Sequence, residues 1–166
     1  MKRLADIDWE TWQGKIRATL VFVIKDGNIL LIDKKTGIGK GKINGPGGKL
    51  EDGESPEQCA RREVREELGI HVYDLQYCGQ QRFQFVDGLS IHVWVYKTET
   101  FEGTPTESDE ADPLWVPLDE IPYERMWEDD RIWLPLMLRG ERFHGRWVFD
   151  GDRMLDYELL AELDQE

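Results

Sequence analysis

The chain has little cysteine, little histidine and no surplus of positive charge, and each shortage excludes a class of protein. Cys59 and Cys78 are the only two thiols in 166 residues. They are too few for a disulfide framework and form neither a C-x-x-C pair nor a zinc spacing. They read as reduced thiols of an intracellular protein. His71, His92 and His144 are scattered without ligand spacing and read as structural. Lys and Arg number 21 against 34 Asp and Glu, a net charge of −13. Duplex nucleic acid and anionic membranes attract clustered basic residues, so neither is an expected partner. A small polyphosphate remains open, provided a divalent cation stands between the two anions. Long apolar runs are missing too. The longest, Leu20 to Ile24, falls far short of a bilayer span, and the opening M-K-R-L-A-D-I-D-W-E turns acidic before a signal-peptide core develops. The expectation is a cytoplasmic monomer.

What is present fits one globular domain. Hydrophobic residues make up 40% and charged ones 33%, and a chain of this length buries roughly 70% of its unfolded surface. Residues 1 to 16 read as an N-terminal extension, with Trp9 and Trp12 docking on the core, and 17 to 166 as a single domain. Ala18 to Ile24 and Ile29 to Ile32 flank Asp26-Gly27-Asn28 and predict a hairpin. Gly37 to Gly48 reads as a glycine-rich loop, and Gly103 to Pro113 as an acidic one. His71 to Tyr77, Gln81 to Phe85, Ser90 to Tyr96 and Leu114 to Pro117 read as strands. A second helix is expected from about Asp130 to Arg139, with Pro135 tolerable only in its first turns. Asp150-Gly151-Asp152 lacks the other ligands of a calcium loop and reads as a hairpin turn between Arg146–Phe149 and Met154–Leu159.

The first helix carries the chemistry. Ser55 is its N-cap, Pro56 takes the first helical position, Gln58 completes a capping box, and Gly69 is the stop. Ala60, Val64 and Leu68 form the buried stripe. Glu63, Glu66 and Glu67 fall within about 100° of arc beside it. Like charges so close repel unless a cation sits among them, and hard ions such as Mg²⁺, or Mn²⁺ in its place, prefer an all-oxygen setting. Arg62 offers a planar fork to a carboxylate. Gly47 and Gly48 let backbone approach a metal or a phosphate closely. A Glu-rich helix alone is usually a solvated face. The full spacing runs Gly48, five residues, Glu54, seven residues, Arg62-Glu63-Val64, one residue, Glu66-Glu67, one residue, Gly69-Ile70. Chance produces it in roughly one chain in a million or fewer.

This pattern is the Nudix box, and the chain resembles a Nudix hydrolase. The segments G-K-I-N-G-P-G-G-K, F-Q-F, G-T-P-T-E-S-D-E, M-W-E-D-D, W-L-P-L, F-H-G and L-D-Y extend the likeness from about Ala18 to Leu159. They are similar to the MutT-homologue branch that hydrolyses oxidised purine nucleoside triphosphates. The resemblance implies the Nudix fold, an α+β arrangement in which a mixed sheet packs between helices as an α/β/α sandwich. It implies Mg²⁺-dependent release of a nucleoside monophosphate and pyrophosphate, with a small nucleotide as partner. The box alone also admits ADP-ribose, dinucleoside polyphosphates or a non-catalytic nucleotide-binding domain.

Carried over by position, Glu63, Glu66 and Glu67 are metal ligands, and Gly47 offers its carbonyl. Glu110 is a further ligand near the attacking water, whose proton goes to Glu110 or to a helix glutamate. Gly48, Glu54, Arg62 and Gly69 organise the box, and Lys49 reaches phosphate. The purine is expected among Thr19, Asn44, Phe83, Phe85, Trp127, Asp129 and Asp130, with Lys34 nearby. Read as residues, Phe83 and Phe85 also fit core packing, and Asp129 and Asp130 also fit helix caps. The sequence departs from that branch at Ile43, Pro46 and Glu128, which are expected to touch the pocket wall.

Overall fold

Leu20 to Ile24 is apolar at consecutive positions, which demands a strand covered on both faces. The computed structural model describes residues 2–161 and supplies that double cover. β1 (Ile16–Lys25) turns through Asp26 and Gly27, at φ of 53° and 78°, into β2 (Asn28–Lys34). Two successive left-handed residues give a tight hairpin whose twist suits the strands. Val21, Val23, Leu30 and Ile32 then point to one face of the sheet, and Phe22, Ile29 and Leu31 to the other.

β3 (Ile43–Asn44) and β4 (Gly47–Lys49) lie inside the stretch expected to be all loop. Ile43 is apolar and pairs with Asp33, while Gly47 and Gly48 pair with Leu20 and Thr19 of β1. α1 (Pro56–Leu68) starts and stops where the capping residues predict. Ser55 accepts from the Gln58 N–H, Gln58 accepts from the Ser55 N–H, and Gly69 closes the helix at φ 73°. β5 (His71–Tyr73) ends early because Asp74 adopts φ 53°, and β6 (Gln76–Phe85) begins after it, so the single strand expected over 71–77 is two. β7 (Ser90–Thr98), β8 (Thr100–Glu102) and β9 (Ala111–Pro117) follow. α2 (Asp130–Leu138) carries Pro135 in its second turn. β10 (Phe143–Asp150) and β11 (Arg153–Ala161) form the last hairpin.

The main sheet runs β11-β10-β6-β7-β1-β2-β3, with β4 beside β1 and β9 beside β2. It is mixed: β1 with β7 and β10 with β6 are parallel pairs, and the rest are antiparallel. α1 buries Ala60, Val64 and Leu68 against Val21, Val23, Leu30 and Ile32. On the opposite face α2 buries Trp133, Leu134 and Met137 among Phe22, Phe143, Trp147 and Phe149. The fold is therefore the sandwich of a mixed sheet between helices that the resemblance implies.

Trp9 and Trp12 of the N-terminal extension dock on the domain. Trp12 donates from Nε1 to Gln84 Oε1 at 2.9 Å, its ring lies 5.5 Å from that of Trp9, and Arg146 sits over Trp9. Cys59 and Cys78 are buried free thiols. His92 stacks on Trp94 and bonds to Gln80, a packed role that burial reinforces by pushing its pKa down to about 4. Among the described residues no helix is long and apolar enough to cross a membrane.

Candidate active site

The glutamates of α1 are sorted by one arginine. Arg62 bonds Glu54 through Nε at 2.6 Å and Nη2 at 2.9 Å, and Nη2 also donates to the Lys49 carbonyl. This ties the helix to the loop that precedes it. The paired guanidinium holds the Glu54 carboxyl down at about 2, and Glu54 in turn raises the pKa of Arg62. Arg62 Nη1 meets Glu63 at 2.8 Å and Glu66 at 3.1 Å.

Glu67 has a different fate. It is 2% exposed, and its Oε1 accepts the Gly47 N–H at 2.8 Å. Burial first, then the charges of Glu63 and Glu110, push its pKa up to about 8. Glu63 is also raised, chiefly by burial. The half-buried Lys34 lies close enough to both to favour their ionised forms, while burial lowers its own pKa. The two glycines make this crowding possible. A Cβ on Gly47 would lie 1.9 Å from the Thr19 carbonyl oxygen, and one on Gly48 2.3 Å from the Glu63 carboxyl carbon.

Glu63, Glu67, Glu110, Lys34 and Lys49 line one end of a cavity of about 610 Å³. The expected trio is thus only partly gathered. Glu66 stays 47% exposed at the edge, bonded to Arg62 and outside the cavity lining. Glu110 takes the third place, brought in by the loop before β9, where its carbonyl accepts the Lys35 N–H. No three His, Cys, Asp or Glu side chains among the described residues are already closed around one point.

The other end of the same cavity is apolar, with Phe83, Phe85 and Trp127 in its wall and Asn44 beside them. Phe85 and Trp127 meet edge to face at 6.1 Å. Asp129 and Asp130 also line it, 2% and 8% exposed. Asp129 stands at the N-cap position of α2, but its side chain makes no cap bond; its Oδ2 accepts Trp133 Nε1 at 2.7 Å instead. Its Oδ1 is buried without a donor. Burial raises the pKa of both acids, and the charge of Asp129 raises that of Asp130 further. The pair therefore tends to keep a proton between them.

Three expectations need correction. Thr19 borders the cavity, but its hydroxyl faces α1 and lies 3.4 Å from Cys59 Sγ, because odd-numbered positions of β1 point to the α1 face. Ile43 and Pro46 do not line the cavity: Ile43 is in the core, and the Pro46 carbonyl accepts the Val21 N–H. Glu128 turns outward and accepts the Met154 N–H at 2.8 Å.

The NUDIX domain pattern matches residues 14–137. The chain belongs to the Nudix family. It is 43% identical over 147 residues to the oxidized purine nucleoside triphosphate hydrolase of Danio rerio, covering 88% of this chain and 94% of that one. It is 42% identical to the protein of the same name from Mus musculus, covering 85% and 92%. The crystal structure of the MutT protein from Bacillus halodurans superposes with a TM-score of 0.78 at 28% identity, covering 87% of this chain and 97% of that one.

Nudix hydrolases generally use divalent cations such as Mg²⁺. The residues of this Nudix chain fit one. The donor set is all oxygen, and Glu67 is a buried carboxylate that accepts the Gly47 N–H. Such a group is costly to ionise unless a cation approaches it.

Sequence reasoning missed Trp133, Ala18 and Leu20 as contributors. Trp133 reads as a core residue, and only its indole N–H reveals that it anchors Asp129. Ala18 and Leu20 line the cavity floor; the even-numbered alternation of β1 is the signal that would have found them.

Proposed function

We propose that the protein hydrolyses oxidised purine nucleoside triphosphates, of the 8-oxo-dGTP and 2-hydroxy-dATP type, to the monophosphate and pyrophosphate with Mg²⁺, and so clears damaged nucleotides from the precursor pool. The observation that carries this reading is one cavity with a carboxylate end at Glu63, Glu67 and Glu110 and an apolar end closed by the Asp129–Asp130 pair. The names of the zebrafish and mouse relatives point to the same substrates.

The acidic end would hold the cation through Glu63 and Glu67, with Glu110 and the Gly47 backbone adjacent and Glu66 at the rim. When bound, Mg²⁺ neutralises charge on the leaving phosphate and makes water more acidic. Lys34 and Lys49 bring positive charge to the polyphosphate, and Arg62 keeps α1 fixed to its loop. A carboxylate that faces the water, Glu110 or a helix glutamate, takes its proton.

At the apolar end Trp127 and the phenylalanines supply flat faces for a base. Asp129 and Asp130 read its edge. With one proton between them, one oxygen donates while the others accept. The proton shifts to suit the carbonyl and N–H pattern of oxidised guanine or the altered pattern of oxidised adenine. One site thereby serves both.

Product analysis tests the proposal: 8-oxo-dGTP, 2-hydroxy-dATP, the unmodified dNTPs, ADP-ribose and a dinucleoside polyphosphate, each with Mg²⁺ and with chelator. The expected result is monophosphate and pyrophosphate from the oxidised purines, abolished by chelator. Preference for ADP-ribose or a dinucleoside polyphosphate would replace the substrate assignment, and no turnover of any nucleotide would overturn the reading.

A further inference from the structure

Lys42 sits at a junction outside the cavity. Its ammonium lies 5.2 Å from the centroid of the Trp127 ring and 3.5 Å from Asp152 Oδ2 in the β10–β11 turn. Its carbonyl accepts the Asn44 side-chain amide at 3.1 Å and the Lys34 N–H at 3.1 Å. Trp127 borders the cavity and Lys42 does not. The ammonium therefore reaches the indole from a residue that is not itself part of the cavity lining.

We propose that Lys42 is a positioning residue for the base: it fixes the plane of Trp127, so that a purine entering the cavity meets a preset stacking face. The inference rests on the functional reading above, which puts the purine against Trp127. Three further contacts show how the ring is gripped. Phe149 meets it edge to face at 5.6 Å, and Glu128, the next residue, is tied to β11 through the Met154 N–H. The backbone at Gly39 closes the indole edge so tightly that a Cβ there would lie 2.9 Å from Trp127 Nε1. The cation supplies what these contacts do not, attraction over the ring face. Asp152 is largely exposed, so its ion pair orients the lysine more than it binds it. A preset ring spares the substrate the cost of ordering it.

The test is steady-state kinetics on K42M, K42R and D152N, with inhibition by 8-oxo-dGMP and by inorganic tripolyphosphate. K42M should raise KM for 8-oxo-dGTP by about fivefold, the size of a partly desolvated cation–π contact, with kcat within about twofold. The inhibition constant of 8-oxo-dGMP should rise in step and that of tripolyphosphate should not. K42R should restore wild-type KM, and D152N should change it by less than about twofold. Thermal melts check that the variants fold, and K42Q replaces K42M if the latter does not. Unchanged KM in K42M, or a tripolyphosphate constant that moves as much as the monophosphate one, overturns the role of Lys42 alone. A wild-type protein inert toward oxidised purine triphosphates brings down the functional reading and this inference together.

Discussion

Trp133 Nε1 holds Asp129 Oδ2 at 2.7 Å, four residues back along the chain, and this one bond decides which way the acid faces. With Oδ2 engaged, Oδ1 is left as a buried acceptor with no donor. A solvated cap would carry no preference between bases. A pinned, desolvated acid beside Asp130 does, because its proton must sit where the bound base allows.

Asp129→Asn replaces the shared proton by a fixed amide. We expect the ratio of kcat/KM for 8-oxo-dGTP to that for 2-hydroxy-dATP to change by about tenfold. Unchanged relative rates would remove the proton-sharing account. Trp133→Phe keeps the apolar bulk but loses the donor, and should raise KM for both substrates by a few-fold.

Glu67→Gln removes a buried carboxyl assigned to the cation. Turnover should fall by at least about a hundredfold, while the thermal midpoint in chelator near pH 7 changes little, since without metal the buried Glu67 carboxyl keeps its proton and the amide that replaces it is likewise neutral. Near-normal turnover would discredit the metal role.

Stability without metal should depend on pH in a definite direction. Folded Glu67 keeps its proton up to about 8, against 4.5 for an ordinary glutamate. Between these values the folded chain binds more protons than the unfolded one, so stability falls as pH rises. His92, held down to about 4 from 6.5, acts in the opposite sense below 6.5. Above it Glu67 remains. Urea midpoints in chelator should therefore drop between about pH 6.5 and 8, and Mg²⁺ should reverse the drop by favouring the ionised carboxylate. A midpoint that rises across this window would refute the assignment.

Arg62→Met strands Glu54 without its fork and frees Glu63 and Glu66. The expected cost is about 2 kcal/mol in chemical unfolding, from lost charge-assisted bonds in a mostly shielded cluster. Arg62→Lys should recover only part of it, because a point charge cannot span both oxygens of Glu54. Full recovery would mean that charge alone matters there.

Much of this was written in local chemistry. Ser55, Pro56, Gln58 and Gly69 bound α1 to the residue, and Asp26-Gly27 sets the first hairpin, because caps and two-residue turns involve only neighbours in the chain. The spacing of the glutamates and glycines named the family for the same reason. What local chemistry does not contain is direction. Thr19 fits a pocket by position, yet the pleat of β1 turns it toward Cys59. Glu66 shares an arc with Glu63 and Glu67, yet it stays at the surface, outside the cavity they line.

The amino-acid order by itself determined the helix that bears the carboxylates, the strands that must be covered on both faces, and the reaction class those carboxylates suit. Folding alone decided that Glu110, more than forty residues beyond Glu67, faces it across a cavity, and that Lys42 stands over the ring of Trp127, over eighty residues away. The physical reason is that caps and periodicity are short-range quantities, whereas burial, shared protons and a ring held under a cation depend on which distant segments the closed sheet brings together.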